Sequence, residues 1–311
     1  MKIIDAHFHM WDLRENYYPW LADGDRTSVV PDYSSLRRDY LLADFLSDAA
    51  EFELLAAVHI QAEHDPSDHV RETRWLQAIA DNTAESGGVP HAIVANVDLA
   101  APDARAVLEG HAAFRNTRGI RQALHRRLDE TPAYDPLQDP AWQRGFSLVR
   151  EFDLSFDLQF FPEQGTHVVK LVQDHPDTQF ILTHVGMPYS EPASRFELWR
   201  ANMRALAALP NVAVKISGFG MFDRAWTLQS IRPILDYVVE LFGTERCALA
   251  SNYPVERIVT PYSNIWKAYA RYFERYSTHE QEALFCGNAQ RLYRLDLNPC
   301  TYTERSTHQR T

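Results

Sequence analysis

The chain has little cysteine, little glycine and no excess of positive charge. Three cysteines in 311 residues, Cys247, Cys286 and Cys300, are too few and too scattered for a disulfide framework, and no CxxC pair offers a zinc site. The 12 glycines form neither a GxGxxG after the first strand nor a Gly-rich P-loop, which counts against a nucleotide-binding doubly wound sheet. A GxSxG elbow is missing as well, which disfavours a serine hydrolase. Lysine and arginine number 31 against 42 acidic residues, a net charge of −11 that argues against a nucleic-acid backbone or an anionic membrane as partner. No long apolar run suggests a transmembrane helix. The opening MKIIDAHFHMWD has no basic segment followed by an apolar stretch, so a cytoplasmic protein without a signal peptide is expected.

What is present is an alternation. Short apolar runs recur at Ile3–Ala6, Leu55–Ile60, Ala92–Val97, Gly119–Ala123, Ser155–Phe160, Phe180–Thr183, Val212–Ile216 and Cys247–Ser251, with helical stretches between them. Several, such as LLAAVHI and AIVANV, are nearly continuous in apolar residues, as strands buried on both faces require. Eight such units predict a (β/α)8 TIM barrel. Asp65-Pro66 looks like an N-cap and N1 proline ahead of Trp75, Leu76, Ile79 and Ala80. Ile231, Leu235, Val238 and Phe242 fall at helical spacing before a C′ glycine, Gly243. No linker or repeat divides the chain, so one domain is expected over residues 1–297 and a tail over the polar stretch 298–311.

A barrel puts its chemistry at the C-terminal ends of its strands. After the first strand, His7 and His9 share a face, and two neutral imidazoles there suit one divalent metal; a lone HxH is otherwise compatible with satisfied core histidines. The segment between His9 and Leu42 is abnormally long and carries Trp11, Tyr17, Tyr18 and Trp20, which predicts an ordered aromatic lid or plug, with Trp11, Trp20 and Tyr18 able to stack on a ring. Strand two ends with His59, Gln61 and Glu63 in alternation, Glu63 being either a carboxylate at the mouth or a helix cap. Arg121 in strand four needs an anionic partner, either substrate or a structural carboxylate, and His125 follows it. Gln159, His184, Lys215 with Ser217, and Asn252 stand at the later strand tips. His64, His69, His91 and His111 have no visible partner and are expected at the surface; Cys247, at the far end of strand eight, is expected in the core.

The motifs IDAHFHMWD, YPW, VHIQAE, GIRQALH, FILTHVGMP, VAVKISG, SNYPVE and GNAQRLY span residues 4 to 293. In order and spacing the chain resembles the amidohydrolase superfamily, specifically its sugar-lactonase-like branch, which includes fuconolactonase-like and pyrone-dicarboxylate lactonase-like enzymes. The resemblance implies hydrolysis of an ester or lactone of a small molecule, with or without a zinc-type metal. It makes His7, His9 and His184 the metal or substrate-binding histidines and Arg121 a substrate contact; by position at the strand tips and in the first loop, His125, Gln159, Lys215, Trp11 and Trp20 are further substrate-binding candidates. It also exposes two departures. Asn252 stands where the catalytic aspartate is usual, and Gln159 where many members place a histidine. An amide is no base, so Glu63 or His184 is left to activate water. A metal-dependent decarboxylase and a barrel that binds a small molecule without turning it over are the alternatives.

Overall fold

The computed structural model describes residues 1–24, 32–124, 135–189 and 192–297. His125, Cys300 and the stretch 298–311 lie outside the described residues. Eight strands form one parallel sheet in sequential order: β1 Lys2–Phe8, β2 Glu53–Ile60, β3 Ala92–Ala95, β4 Thr117–Ile120, β5 Ser155–Leu158, β6 Phe180–Leu182, β7 Val212–Ile216 and β8 Cys247–Leu249. The connections carry α1 Leu42–Asp48, α2 His69–Asp81, α3 Thr83–Ser86, α4 Ala104–Ala112, α5 Pro140–Phe146, α6 Gly165–Asp174, α7 Ala193–Ala207 and α8 Leu228–Phe242. After β8 come α9 Tyr262–Phe273, α10 Thr278–Glu282 and α11 Asn288–Leu292. This is the (β/α)8 TIM barrel that the apolar alternation predicts. No helix among the described residues is long and apolar enough to cross a membrane.

The strands are short and apolar because both of their faces are covered. β3, β5, β6, β7 and β8 are buried at every residue. α8 shows the matching helical stripe, burying Ile231, Leu235, Val238, Val239 and Phe242 before the positive-φ Gly243 ends it. Cys247 is in the core, its thiol 3.1 Å from the Gly243 carbonyl. Two sequence expectations fail. Asp65 does not cap α2; its carboxyl accepts from Ser67 N at 2.8 Å and makes a turn, and the helix starts three residues beyond the proline, at His69. Nor are His64 and His111 surface groups. His111 on α4 is buried against α2, with its ring nitrogens on Thr73 Oγ1 (2.9 Å) and the Asn96 carbonyl (2.8 Å).

The seam between β8 and β1 is closed differently from the other seven. Ser251 N donates to Asp5 Oδ1 at 2.9 Å, and His7 N donates to the same oxygen at 3.1 Å. Above them Asn252 N donates to the His7 carbonyl (2.8 Å) and His9 N to the Tyr253 carbonyl (2.7 Å). The other Asp5 oxygen accepts from Tyr262 on α9 at 3.1 Å. A carboxyl side chain therefore supplies rungs where the strands themselves diverge. Burial pushes its pKa up to about 6 against these donors.

A second polar group lies inside the barrel. Lys215 on β7 pairs with Asp157 on β5, both fully buried, and Tyr293 just after α11 donates to the Asp157 oxygens at 3.0 and 3.1 Å. Removing one partner of a buried ion pair leaves an uncompensated charge, at a cost of about 3–5 kcal/mol. Urea unfolding of Lys215→Met is expected to show a loss of that order. The double variant K215M/D157L should recover much of it, and a double-variant loss equal to the sum of the K215M and D157L losses would mean the pair does not couple.

Candidate active site

Each histidine at the mouth is aimed by a specific local contact. His9 Nδ1 lies 2.7 Å from the Ile60 carbonyl, so Nδ1 carries the proton and Nε2 presents a lone pair. His59 Nε2 accepts from Met10 N at 2.9 Å and fixes the chain immediately after His9. His7 Nε2 is 3.2 Å from His9 Nε2, while His7 Nδ1 is buried without a partner among the described residues. His184 stands with its ring centroid 4.7 Å from that of His7 and its Nδ1 3.0 Å from Ser217 Oγ. Gly218, at φ +76°, makes room for that ring, since a Cβ there would come within 2.6 Å of His184 Nδ1. The backbone is left-handed at His184, at Asn252 and at Glu63. Three strand tips thus turn sharply where the side chains of interest begin.

Charge decides the protonation of these imidazoles. Burial holds His7, His9 and His184 well below the usual histidine pKa; next comes the Lys215 ammonium for His7 and His184 and the Arg121 guanidinium for His9. All three are neutral at physiological pH. Lys215, expected among the substrate contacts, lies fully buried in the barrel with its ammonium on Asp157, and burial draws its pKa down to about 8.

Arg121 lies just past the end of β4 and is 6% exposed. Its Nη2 donates to the Gln61 carbonyl at 2.6 Å and its Nη1 to Gln159 Oε1 at 3.1 Å; Nε has no partner. Burial lowers its pKa, the charges of Glu63, Asp157 and Glu72 oppose that shift, and among the described residues no carboxylate pairs with it directly. Gln159 thus acts as the holder of this guanidinium. Glu63 is exposed, its Oε1 accepting from Gln61 Nε2 at 2.7 Å and its N–H donating to Gln61 Oε1 at 2.6 Å.

The long first connection is built as a packed aromatic wall. Trp11 and Tyr40 exchange backbone hydrogen bonds at 2.9 and 3.0 Å, and the Trp11 indole donates to the Arg38 carbonyl at 2.7 Å. Trp20 stands edge-on to Trp11 (5.7 Å between centroids) and donates to the Ala62 carbonyl at 2.8 Å. Trp11 and Tyr18 are buried, and Trp20 is half-buried. A cavity of about 370 Å³ is lined by Trp11, Ser35, Leu36, Arg38, Tyr40, Pro254 and Arg257. None of the three histidines lines it, and Trp11, which does, has its ring 6.5 Å from that of His9.

Whether these residues suit a metal follows from the donors. Two zinc–nitrogen bonds of about 2.0–2.1 Å at a tetrahedral angle place the nitrogens roughly 3.3–3.4 Å apart, close to the 3.2 Å between the His7 and His9 Nε2 atoms. A third donor is not gathered with them. His184, with Nδ1 on Ser217, keeps Nε2 available, but the strand-eight tip offers an amide, and no cluster of three histidine, cysteine or carboxylate side chains that would hold a metal forms among the described residues. With Arg121 and Lys215 close by, the set does not fit a tightly held dication.

Several residues that organise the site went unweighed in the sequence: Asp5, Asp157, Tyr293 and Glu256. The signals were present in part, since Asp5 stands inside IDAHFH and Glu256 inside SNYPVE.

Comparison with known proteins agrees with this architecture. The chain is 42% identical over 299 residues to the uncharacterized protein y4mH of Sinorhizobium fredii (strain NBRC 101917 / NGR234), covering 95% of this chain and 99% of that one. It is 30% identical over 306 residues to an L-fucono-1,5-lactonase of Burkholderia multivorans (strain ATCC 17616 / 249), with 94% and 96% covered. A crystal structure of a B. multivorans amidohydrolase with bound zinc superimposes with a TM-score of 0.76 at 29% identity, over 95% of this chain and all of that one. The amidohydrolase family matches residues 4–295, and on that ground the chain belongs to the amidohydrolase family.

Proposed function

We propose that this barrel hydrolyses a small lactone of a sugar acid or related carboxylic acid. The observation that carries the reading is Arg121, a buried guanidinium fixed by Gln61 and Gln159 with no carboxylate paired to it among the described residues. A buried cation in that state calls for an anion from outside the protein. Lactone opening supplies one twice, first as the oxyanion of the tetrahedral intermediate and then as the product carboxylate. The kinship with L-fucono-1,5-lactonases supports the same chemistry at a distance.

In this reading water attacks the lactone carbonyl, and a protein group takes its proton as the carbon–oxygen bond forms. His184 is a poor acceptor, because burial, and then the charges of Lys215 and Arg121, oppose an imidazolium there. Glu63 is the better base. It is a carboxylate at the β2 tip whose charge is felt by Arg121, and its side chain is oriented by Gln61. The ring oxygen leaves as an alkoxide and is protonated from solvent. His7, His9 and His184, neutral throughout, orient the substrate by hydrogen bonds. No step is assigned to a metal, because the described residues form no cluster of three ligating side chains.

A pH-indicator screen of sugar-acid lactones is expected to show acid release. Carbon dioxide from a carboxylated substrate would move the assignment to decarboxylation, and bound ligand without turnover would make the barrel a binding protein. On a responding lactone, Arg121→Met should cost roughly 10²–10³-fold in kcat, the scale of a lost oxyanion donor. Glu63→Gln should cost about 10²–10⁴-fold in kcat with KM little changed, and a kcat within a few-fold of wild type would remove Glu63 as base. Elemental analysis of the purified protein should find zinc well below one equivalent, with activity indifferent to chelators. Stoichiometric zinc that is needed for turnover would overturn the metal-free route.

A further inference from the structure

The strand-eight tip holds a buried carboxyl that the mechanism above does not use. Glu256 follows Asn252 by four residues at the start of a 3-10 turn, Val255–Ile258, and its N–H donates to the Asn252 carbonyl at 3.1 Å. The side chain is 2% exposed. Gly220 N donates to both of its oxygens, at 3.1 and 3.0 Å, and the Asn252 amide faces it. Gly220 has to lack a side chain here, because a Cβ would sit 2.7 Å from Glu256 Oε2.

Asn252 is 1% exposed, its backbone is left-handed at φ 56°, and its N–H is held by the His7 carbonyl, so the root of the side chain is fixed. What remains free is the rotation of its amide. An amide has a donor side and an acceptor side, whereas a carboxylate only accepts. Around this amide both neighbours are acceptors: the Glu256 carboxylate, and Met221 Sδ at 3.4 Å from Nδ2. The NH2 group is thereby drawn toward them, and Oδ1 is the atom left for a ligand.

We propose that Glu256 is a positioning residue that sets the orientation of the Asn252 amide, so that Asn252 meets the substrate site as a hydrogen-bond acceptor. The proposal rests on the lactonase reading for its substrate, because Oδ1 would accept from the attacking water or a substrate hydroxyl. The amide orientation itself does not depend on that reading. It also explains the departure at this position. An aspartate at 252 would set two carboxylates side by side in a buried space, which forces them to share a proton; asparagine gives the anionic Glu256 a donor instead.

The orientation depends on Glu256 being ionised. Burial pushes its pKa up to about 7, against the hydrogen bonds from Gly220 and the facing Asn252 amide. Among the described residues the ionisable groups that feel its charge are Tyr253 and Tyr269, both of whose phenols burial holds in the neutral form. Once protonated, Glu256 offers an O–H, which bonds best to Oδ1 and turns the amide over. Glu256→Gln should do this permanently: its Oε1 keeps Gly220 N, and its NH2 then faces Asn252.

The test is a pH titration of full-length protein carrying 15N only in asparagine, with the Asn252 side-chain resonances assigned by their loss in N252D. In wild type these resonances are expected to shift with a midpoint near the Glu256 pKa, and in E256Q to stay flat. Flat wild-type resonances, or the same titration in E256Q, would overturn the proposal. The wild-type measurement decides even where E256Q does not fold, and it needs no substrate. If a lactone is turned over, kcat/KM should rise with pH through the same midpoint in wild type. E256Q should lose that limb and at least tenfold of the high-pH value, and an unchanged profile would again count against it. A protein that shows the titration but hydrolyses no lactone would retain the amide orientation and lose only the substrate assignment.

Discussion

Everything at the mouth of this barrel depends on how one seam is closed. Asp5 collects the N–H groups of His7 and Ser251 and the hydroxyl of Tyr262, and so binds the first strand, the last strand and an outer helix into one piece. The next two residues along each strand continue the closure through the His7 carbonyl and the His9 N–H. The ligand face is therefore laid directly on the seam. His7 and His9 on one side and Asn252 on the other are held in register by the hydrogen bonds that complete the barrel. A carboxyl serves because it accepts several donors at one point, which a backbone carbonyl held in a regular ladder does not do.

The electrostatic character of the mouth follows from what lies beneath and beside it. Two cations, Lys215 and Arg121, are near three buried imidazoles, and only Lys215 has a direct counter-ion among the described residues. The result is a neutral set of histidines next to an unmatched positive charge, an environment that favours anions over divalent cations. The His7–His9 pair has the spacing of metal ligands, but its surroundings do not supply the third ligand or the negative charge that would hold an ion firmly. The same spacing, with His9 protonated at Nδ1, is equally that of a proton shared between the two Nε2 atoms.

Much of this was legible in the sequence, for a physical reason. Strands buried on both faces leave continuous apolar runs, so all eight could be located, and the tip residues then followed from position alone. What was hidden were the partnerships. Lys215 reads as a residue at a strand tip, yet its counter-ion is 58 residues away on β5. His111 reads as a surface histidine, because nothing in its own helix announces Thr73 on α2. Asp65-Pro66 carries a cap signature but makes a turn, since the same carboxyl geometry serves both. Glu256 is four residues from Asn252 and so was within reach of local reasoning; its burial under Gly220 was not.

The buried trio of Asp157, Lys215 and Tyr293 carries an implication for how the chain is made. Strand five emerges from the ribosome with an aspartate whose cation is 58 residues behind it and whose phenol is 136 residues behind it. Asp5 waits still longer, 246 residues for Ser251 and 257 for Tyr262. During synthesis the Asp157 charge thus waits for β7 to be matched, and the edge at Asp5 waits for β8 and α9 to be closed. The part of the molecule that is translated first, the histidine strand, is among the last to acquire its working geometry.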